Sequence, residues 1–299
     1  MQALYQAQSA PSGIQHWRAR QAPAAQSGDT VRIATYNVKN LFDDQDENPN
    51  LGTTEKPAAE QQALANNIRN SGSQVLALQE VESLEVLQNF VEKYLPGEFS
   101  EVVLVEGNDR RGIDVALLSK FPVQEVISHK DHQFPLADGS GQTSFNRDLL
   151  RVDLDIRGIP LTVYTSHFKS KRGGSASDNE RIAEAQETRR ILAQEMAPFE
   201  KANFVVMGDL NDRPTSTTLK VLTEEWEGQP ALVSSLEGLP PAERGTYPSK
   251  KPKDQIDHIL FPEHMRDNLE GSRVYKDSES RLASDHLMVT ADFRLTQPQ

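Results

Sequence analysis

From residue 31 onwards the chain consists of short, β-branched apolar runs that follow one another closely, and this succession limits the fold more than any other feature. Val31 to Tyr36 alternates, as a strand should. Gln74–Gln79, Val102–Val105 and Val115–Leu118 are short enough for buried strands. Leu149–Ile156 alternates again, Pro160–Tyr164 follows a turn at Gly158, and Phe204–Met207, Ile256–Phe261 and Met288–Phe293 complete the series. Helical periodicity is confined to four places. Residues 58–70 carry Leu64 and Ile68 on one face, and Ser83 caps a helix that reaches Leu95 and stops at Pro96-Gly97. Asp178 caps a longer helix to about Met196, and Thr215 opens a fourth through Leu219 and Leu222. Strands outnumber helices and often follow one another directly, which favours sheet-on-sheet layers with helices outside.

At 299 residues the chain can bury a sizeable core. No internal repeat and no boundary after residue 30 is visible, so residues 31–299 read as one domain behind a polar, Gln/Ala/Ser-rich tail, 1–30, expected to be flexible. The Gly/Pro/Asn/Asp-rich stretches at 43–57, 131–146, 170–180 and 237–254 read as loops within it. The absence of cysteine excludes disulfides, thiolate catalysis and cysteine-ligated zinc. No apolar run approaches a bilayer span, so a soluble protein is expected, and a monomer. Residues 1–30 lack the apolar core of an intact secretory signal, which leaves the compartment open between cytoplasm and export after removal of a signal.

The formal net charge of −12 argues against a broad basic face for gripping nucleic acid. A hydrolase of polyanions needs positive charge only beside its site, however, and the basic residues are unevenly placed. Lys169, Lys171 and Arg172 follow a strand-end histidine; Lys250, Lys251 and Lys253 precede a strand aspartate; Arg110 and Arg111 form a smaller group. Ordinary solvated loops would look alike, but the position beside polar motifs points to phosphate binding.

Six polar motifs stand at strand ends. In Val205-Val206-Met207-Gly208-Asp209-Leu210-Asn211 a strand runs into a glycine that permits close backbone approach, and Asp209 and Asn211, two residues apart, can converge on one point. A Gly-Asp turn with Asn capping a helix would read the same. Ser284-Asp285-His286 sets a carboxylate beside an imidazole at the start of the last strand, although such pairs also serve as caps. Asp257 lies inside the apolar run Ile256–Phe261, where a charge needs a partner, and a histidine from another segment would supply one; His258 points to the opposite face and reads as structural. His167 ends Tyr164-Thr165-Ser166-His167, a position also common for core histidines. Asn37 and Glu80, after Thr35-Tyr36 and Leu78-Gln79, are hard oxygen donors suited to magnesium or manganese.

In this order the set Thr35-Tyr36-Asn37, Gln79-Glu80, Ser166-His167, Gly208-Asp209-Leu210-Asn211, Ile256-Asp257 and Ser284-Asp285-His286 resembles the endonuclease/exonuclease/phosphatase superfamily of deoxyribonuclease-I-like phosphoesterases, from residue 31 to about 295. The resemblance implies an α/β fold, a four-layer α/β/β/α sandwich of two packed mixed sheets flanked by helices. It implies Mg²⁺ or Mn²⁺ held principally by Glu80 with Asn37, and Asp285 near the metal either as a ligand or to activate the water. It also implies an attacking water handled by Asp209, and a scissile phosphate met by Asn211, His286 and His167, with Asp257 holding His286. Arg147 resembles a phosphate-contacting arginine of the deoxyribonuclease branch, where a surface salt bridge with Asp148 is the other reading; Arg111, Lys169 and Lys171 are further candidates for the substrate's phosphates. Lys39 stands where some members place an acidic second-metal residue, and His167 argues against the apurinic endonuclease branch.

The expectation is therefore an Mg²⁺-dependent, nuclease-like phosphodiesterase with nucleic acid as substrate. An inositol polyphosphate phosphatase or a sphingomyelinase-like phospholipase C is the alternative within the chemistry; the lipid version would want an exposed apolar loop, and neither 131–146 nor 237–254 supplies one. A non-catalytic scaffold of the same fold is the alternative of another class, opposed by the cost of crowding acidic residues around one point.

Overall fold

The structure is a computed structural model that describes residues 5–9, 15–19, 30–45, 54–196, 201–248 and 254–298. In chain order the strands are β1 (Tyr5–Ser9), β2 (Gln15–Ala19), β3 (Thr30–Leu41), β4 (Val75–Val81), β5 (Glu101–Leu104), β6 (Asp114–Ser119), β7 (Val123–Ser128), β8 (Phe134–Pro135), β9 (Gln142–Thr143), β10 (Leu149–Ile156), β11 (Ile159–His167), β12 (Phe204–Asp209), β13 (Leu232–Ser234), β14 (Asp257–Pro262), β15 (Leu269–Val274) and β16 (Val289–Arg294). The α-helices are α1 (Ala58–Ser71), α2 (Leu84–Tyr94), α3 (Ser175–Met196), α4 (Thr217–Thr223) and α5 (Ser280–Ala283). One sheet runs β1-β2-β5-β6-β4-β3-β16-β15 and the other β13-β14-β12-β11-β10-β7. Each is antiparallel except for one central parallel pair, β3 with β4 and β11 with β12. A parallel neighbour needs a crossover, and α1 and α3 provide the two.

Three apolar cores separate four layers. Leu64, Leu87 and Phe90 of the helices pack on Tyr36, Leu78 and Leu118; Ile33, Ala77, Val163, Met207 and Ile259 fill the space between the sheets; Tyr164, Val206 and Leu260 meet Ile191 and Leu219 on the far side. This is the expected α/β/β/α sandwich. The central strands are apolar on both faces, and strand side chains alternate, so residue parity decides which core each joins. Ile33, Val163, Met207 and Ile259 face the other sheet. Continuing two residues at a time from these brings Asn37, His167, Asp209 and Asp257 to the same inter-sheet side, at the strand ends where the apolar filling stops.

Most of the expected strands form close to their predicted limits, whereas β7, β13 and β15 were not foreseen. They lie at or beside sheet edges, where an exposed face weakens the apolar pattern. Ser83 caps α2 as expected, its hydroxyl accepting from Val86 N at 3.2 Å. The cap of α4 is Ser216 rather than Thr215, and α3 begins at Ser175, so Asp178 lies in its first turn. In the stretch read as a tail, Tyr5–Ser9 and Gln15–Ala19 pair as an antiparallel hairpin that joins the first sheet through β5. That departs from the expectation over those segments; the rest of 1–29 lies outside the described residues.

Gly208 stands opposite Ser166 in the parallel pair with φ +147°, and a Cβ there would lie 1.9 Å from the Ser166 carbonyl oxygen. No side chain fits without parting β11 from β12. Gly208→Ala should therefore lower unfolding free energy by roughly 2–4 kcal/mol, read from urea denaturation; a change within error would show that the pair can open at this point.

Candidate active site

Asp209 is the hub. It ends β12 almost fully buried, and its Oδ2 accepts from Asn37 Nδ2 at 3.0 Å. The same oxygen lies 3.5 Å from His167 Nε2 and 3.8 Å from His286 Nε2. Its Oδ1 accepts from the backbone N–H of Asn211 at 3.0 Å. Asn211 holds φ 54°, a left-handed conformation that asparagine tolerates, and its Nδ2 donates to Phe168 O at 2.9 Å. Asp257 pairs across the ladder with Asp209, so two buried carboxylates face the same side. The partner expected of Asp257 is His286, whose Nδ1 lies 2.9 Å from Asp257 Oδ2. Ser284 locks this segment to the first sheet, its hydroxyl donating to Asn37 O at 2.7 Å.

Glu80 reaches the site by breaking the alternation. Gln79 lies on the inter-sheet side with Thr35, to which it is hydrogen-bonded, so strict parity would turn Glu80 towards the helices. A bulge interrupts β4 against both neighbours here, and Glu80 adopts φ 66°, a strained conformation for a glutamate. Its Oε1 then accepts from Asn37 Nδ2 at 3.1 Å and its Oε2 from Asn40 N at 3.1 Å.

The environment drives the two imidazoles apart in charge. Burial opposes a charge on His286, but Asp257 and Asp209 outweigh it and raise its pKa to about 10. Burial, reinforced by Arg147, His286 and Arg111, drives the pKa of His167 well below its ordinary value. His286 is thus a cation at neutral pH and His167 is neutral. Nδ1 of His167 is buried without a partner, so the tautomer that leaves it a bare acceptor and protonates Nε2, towards Asp209, is the less costly one. Burial and the adjacent Asp257 push the Asp209 carboxyl up to about 7, a value that suits a group that takes a proton at neutral pH.

These residues border a cavity of about 590 Å³. Glu80 and Asp285 both line it, and neither is in an ion pair among the described residues. Two carboxylates outside any ion pair, lining one cavity, are hard-oxygen donors of the kind that suits Mg²⁺ or Mn²⁺. Asn37 Oδ1 accepts from Lys39 N at 3.0 Å, and its amide nitrogen is turned towards Glu80 and Asp209. Asp209, Asp257 and His286 also offer ligand atoms within 4.8 Å of one another. An ion there would have to replace the Asp257–His286 hydrogen bond, so the trio reads better as a proton-handling group.

Arg111, Arg147, Lys169, Lys171 and Arg172 line the His167 side. Lys169 pairs with Glu180 at 2.8 Å, Lys171 with Asp212 at 2.6 Å and Arg111 with Asp109 at 3.5 Å. Arg147 is buried and pairs with Asp109 at 2.8 Å, so the surface bridge to Asp148 does not form. Lys250, Lys251 and Lys253 lie outside the described residues. His258 is structural as expected, its Nε2 lying 2.9 Å from Asp212 O on the other face of β14. Two neighbours went unforeseen: Thr246, whose hydroxyl accepts the N–H of Asp257 at 3.1 Å, and Tyr247, whose ring packs on His286 with centroids 4.9 Å apart. They sit in a loop where neither charge nor period marks them.

The His286 ion pair carries a pH signature. Its folded pKa lies above the ordinary 6.5, so the stability it contributes is complete below that value and is lost as pH rises through about 10. In metal-free protein the His286 ring should stay protonated at pH 8 by NMR, and Asp257→Asn should lower its titration by more than one unit. An ordinary histidine titration in the parent protein would contradict the assignment.

The sequence profile described as Endonuclease/Exonuclease/phosphatase family matches residues 32–295. Among solved structures, the human Nocturnin catalytic domain with bound sulfate is 17% identical with a TM-score of 0.64, covering 89% of this chain and 94% of its own. An endonuclease/exonuclease/phosphatase from Bacteroides vulgatus is 15% identical with a TM-score of 0.62, covering 89% and 99%. D. rerio TDP2 complexed with a single-strand DNA product is 18% identical with a TM-score of 0.58, again covering 89% and 99%. These three share the fold. No curated protein sequence gives a significant match. The chain belongs to the endonuclease/exonuclease/phosphatase family, a family of phosphoesterases.

Proposed function

We propose that the protein is a divalent-metal-dependent phosphodiesterase, using Mg²⁺ or Mn²⁺, that acts on nucleic acid. The observation that carries the chemistry is the arrangement of a cationic His286 and a neutral His167 around the buried Asp209. In-line attack on a phosphate diester needs a positioned water, neutralisation of the anion and a proton for the leaving oxygen. Asp209, with its raised pKa, is suited to orient the water and accept its proton. His286 would donate Nε2–H to a phosphate oxygen while Asp257 holds Nδ1, and His167 would add a neutral donor. Asn211 would steady the same phosphate. Glu80 and Asp285 are the residues that would hold the metal ion, which when bound supplies Lewis-acid charge neutralisation at the phosphate.

The substrate class rests on the uneven walls of the cavity. Five basic side chains border the His167 side, although the chain as a whole carries a net charge of −12. Basic side chains gathered along the cleft, four of them paired with nearby acids, suit an anion that takes over those pairings beyond the scissile phosphate. Of the large apolar side chains among the described residues, Leu282 is the exposed one, which gives a lipid surface little to grip. TDP2 of D. rerio, which shares the fold, is described with a single-strand DNA product.

A panel at matched enzyme and Mg²⁺ tests the reading: single-stranded DNA, duplex DNA, RNA, inositol phosphates and sphingomyelin. Nucleic acid should be cleaved fastest, and preference for inositol phosphate or sphingomyelin would move the protein to another branch. Full hydrolysis of an aryl phosphodiester in excess chelator would remove the metal from the mechanism. His286→Ala should retain the fold and lose about 10²–10⁴ in kcat; a folded variant of normal rate would refute the role given to His286.

A further inference from the structure

Lys56 is a buried lysine that the chemistry above does not use. It lies just before α1, 2% exposed, with its backbone N–H donating to Phe42 O at 3.1 Å. Its ammonium is directed inward, 3.1 Å from Lys39 O and 3.4 Å from Glu60 Oε2. Burying an ammonium is costly, and burial does lower the pKa of Lys56, so the position calls for a compensating role.

The acceptor is the unusual feature. Lys39 and Asn40 are consecutive residues with φ 52° and 53°, a left-handed pair without glycine. This turn points its N–H groups at the site: Lys39 N to Asn37 Oδ1 at 3.0 Å, and Asn40 N to Glu80 Oε2 at 3.1 Å. The strained turn thus fixes the Asn37 amide and one oxygen of Glu80. The Lys39 carbonyl is the part of the turn that the Lys56 ammonium grips.

We propose that Lys56 is a positioning residue for the divalent cation: its ammonium clamps the Lys39–Asn40 turn in the left-handed form that presents Glu80 to the ion. The inference rests on the reading of Glu80 as a metal ligand. It has a sign that a purely electrostatic role lacks. A positive charge that acts on Asp285 repels a divalent cation held there, so removing charge alone would tighten binding. Removing the clamp loosens it, because Glu80 must then be ordered by the ion itself.

Mn²⁺ binding to the full chain, followed by electron paramagnetic resonance, separates the two. Lys56→Met should weaken Mn²⁺ binding roughly 10–100-fold, while Lys56→Arg, which keeps a donor, should return it to within a few-fold of the parent. With Mg²⁺ saturating, kcat and KM for a phosphodiester should be close to the parent's, the loss lying in the metal concentration required. Unchanged or tighter binding in folded Lys56→Met would overturn the proposal. Should that variant fail to fold, Glu60→Gln carries the test: it leaves the ammonium without its carboxylate and should weaken binding several-fold, and no change would overturn the clamp. A parent chain that binds no Mn²⁺, or whose affinity survives Glu80→Gln, would instead refute the metal assignment of Glu80.

Discussion

Two carboxylates, Asp209 and Asp257, lie side by side in a ladder between two apolar sheets, and the rest of the site answers the cost of keeping them there. An unpaired charge in such a place is expelled, protonated or neutralised by a partner. Here the partner is His286, brought from the first sheet against both acids, with the Asn37 amide as a second donor. The same electrostatic debt sets the protonation pattern. It fixes a proton on His286, raises the affinity of Asp209 for one, and leaves the more deeply buried His167 neutral. A structural necessity and a catalytic inventory thus coincide.

The layers decide where this can happen. Each sheet carries a central parallel pair, and a parallel pair joined by an outer helix presents its strand ends together. Asn37 and Gln79 leave the first sheet as His167 and Asp209 leave the second. The inter-sheet core is apolar up to Met207 and Ile259, so the polar residues beyond it meet where that core ends, at the cavity. Helix α3 supports the site from outside the second sheet. Its buried face includes Arg181 and Glu184, which bind Asp212 at 3.0 Å and Lys169 N at 2.7 Å and so tie down the loops after His167 and Asp209.

Much of this could be read from the sequence, for a physical reason. Strand alternation is local, so Asp209 and Asn211, or Asp257 against His258, can be assigned to faces before any partner is known. The need of Asp257 for a histidine likewise follows from burial alone. Departures from the period could not be read. Glu80 reaches the site through a bulge, which two neighbouring strands impose and no residue in Leu78-Gln79-Glu80-Val81 announces. The orientation of the Asn37 amide likewise depends on a hydrogen bond from the following turn. The pairing of Arg147 with Asp109 joins segments 38 positions apart, a separation no spacing rule covers. Edge strands such as β15 were missed because half-exposed residues carry little apolar signal.

The place of β16 has a consequence for how the molecule comes into being. The strand made last among those described is not at an edge but inside its sheet, between β3 and β15, and it follows directly from Ser284-Asp285-His286. A nascent chain that lacks this stretch has both its parallel pairs and helices α1 to α4 within reach, yet it has a gap in one sheet and lacks His286 as counter-ion for its two acids. Collapse can therefore run ahead of competence during synthesis. The two acids would meet their counter-ion, and the cavity take its shape, only once this last described strand closes the sheet and delivers His286.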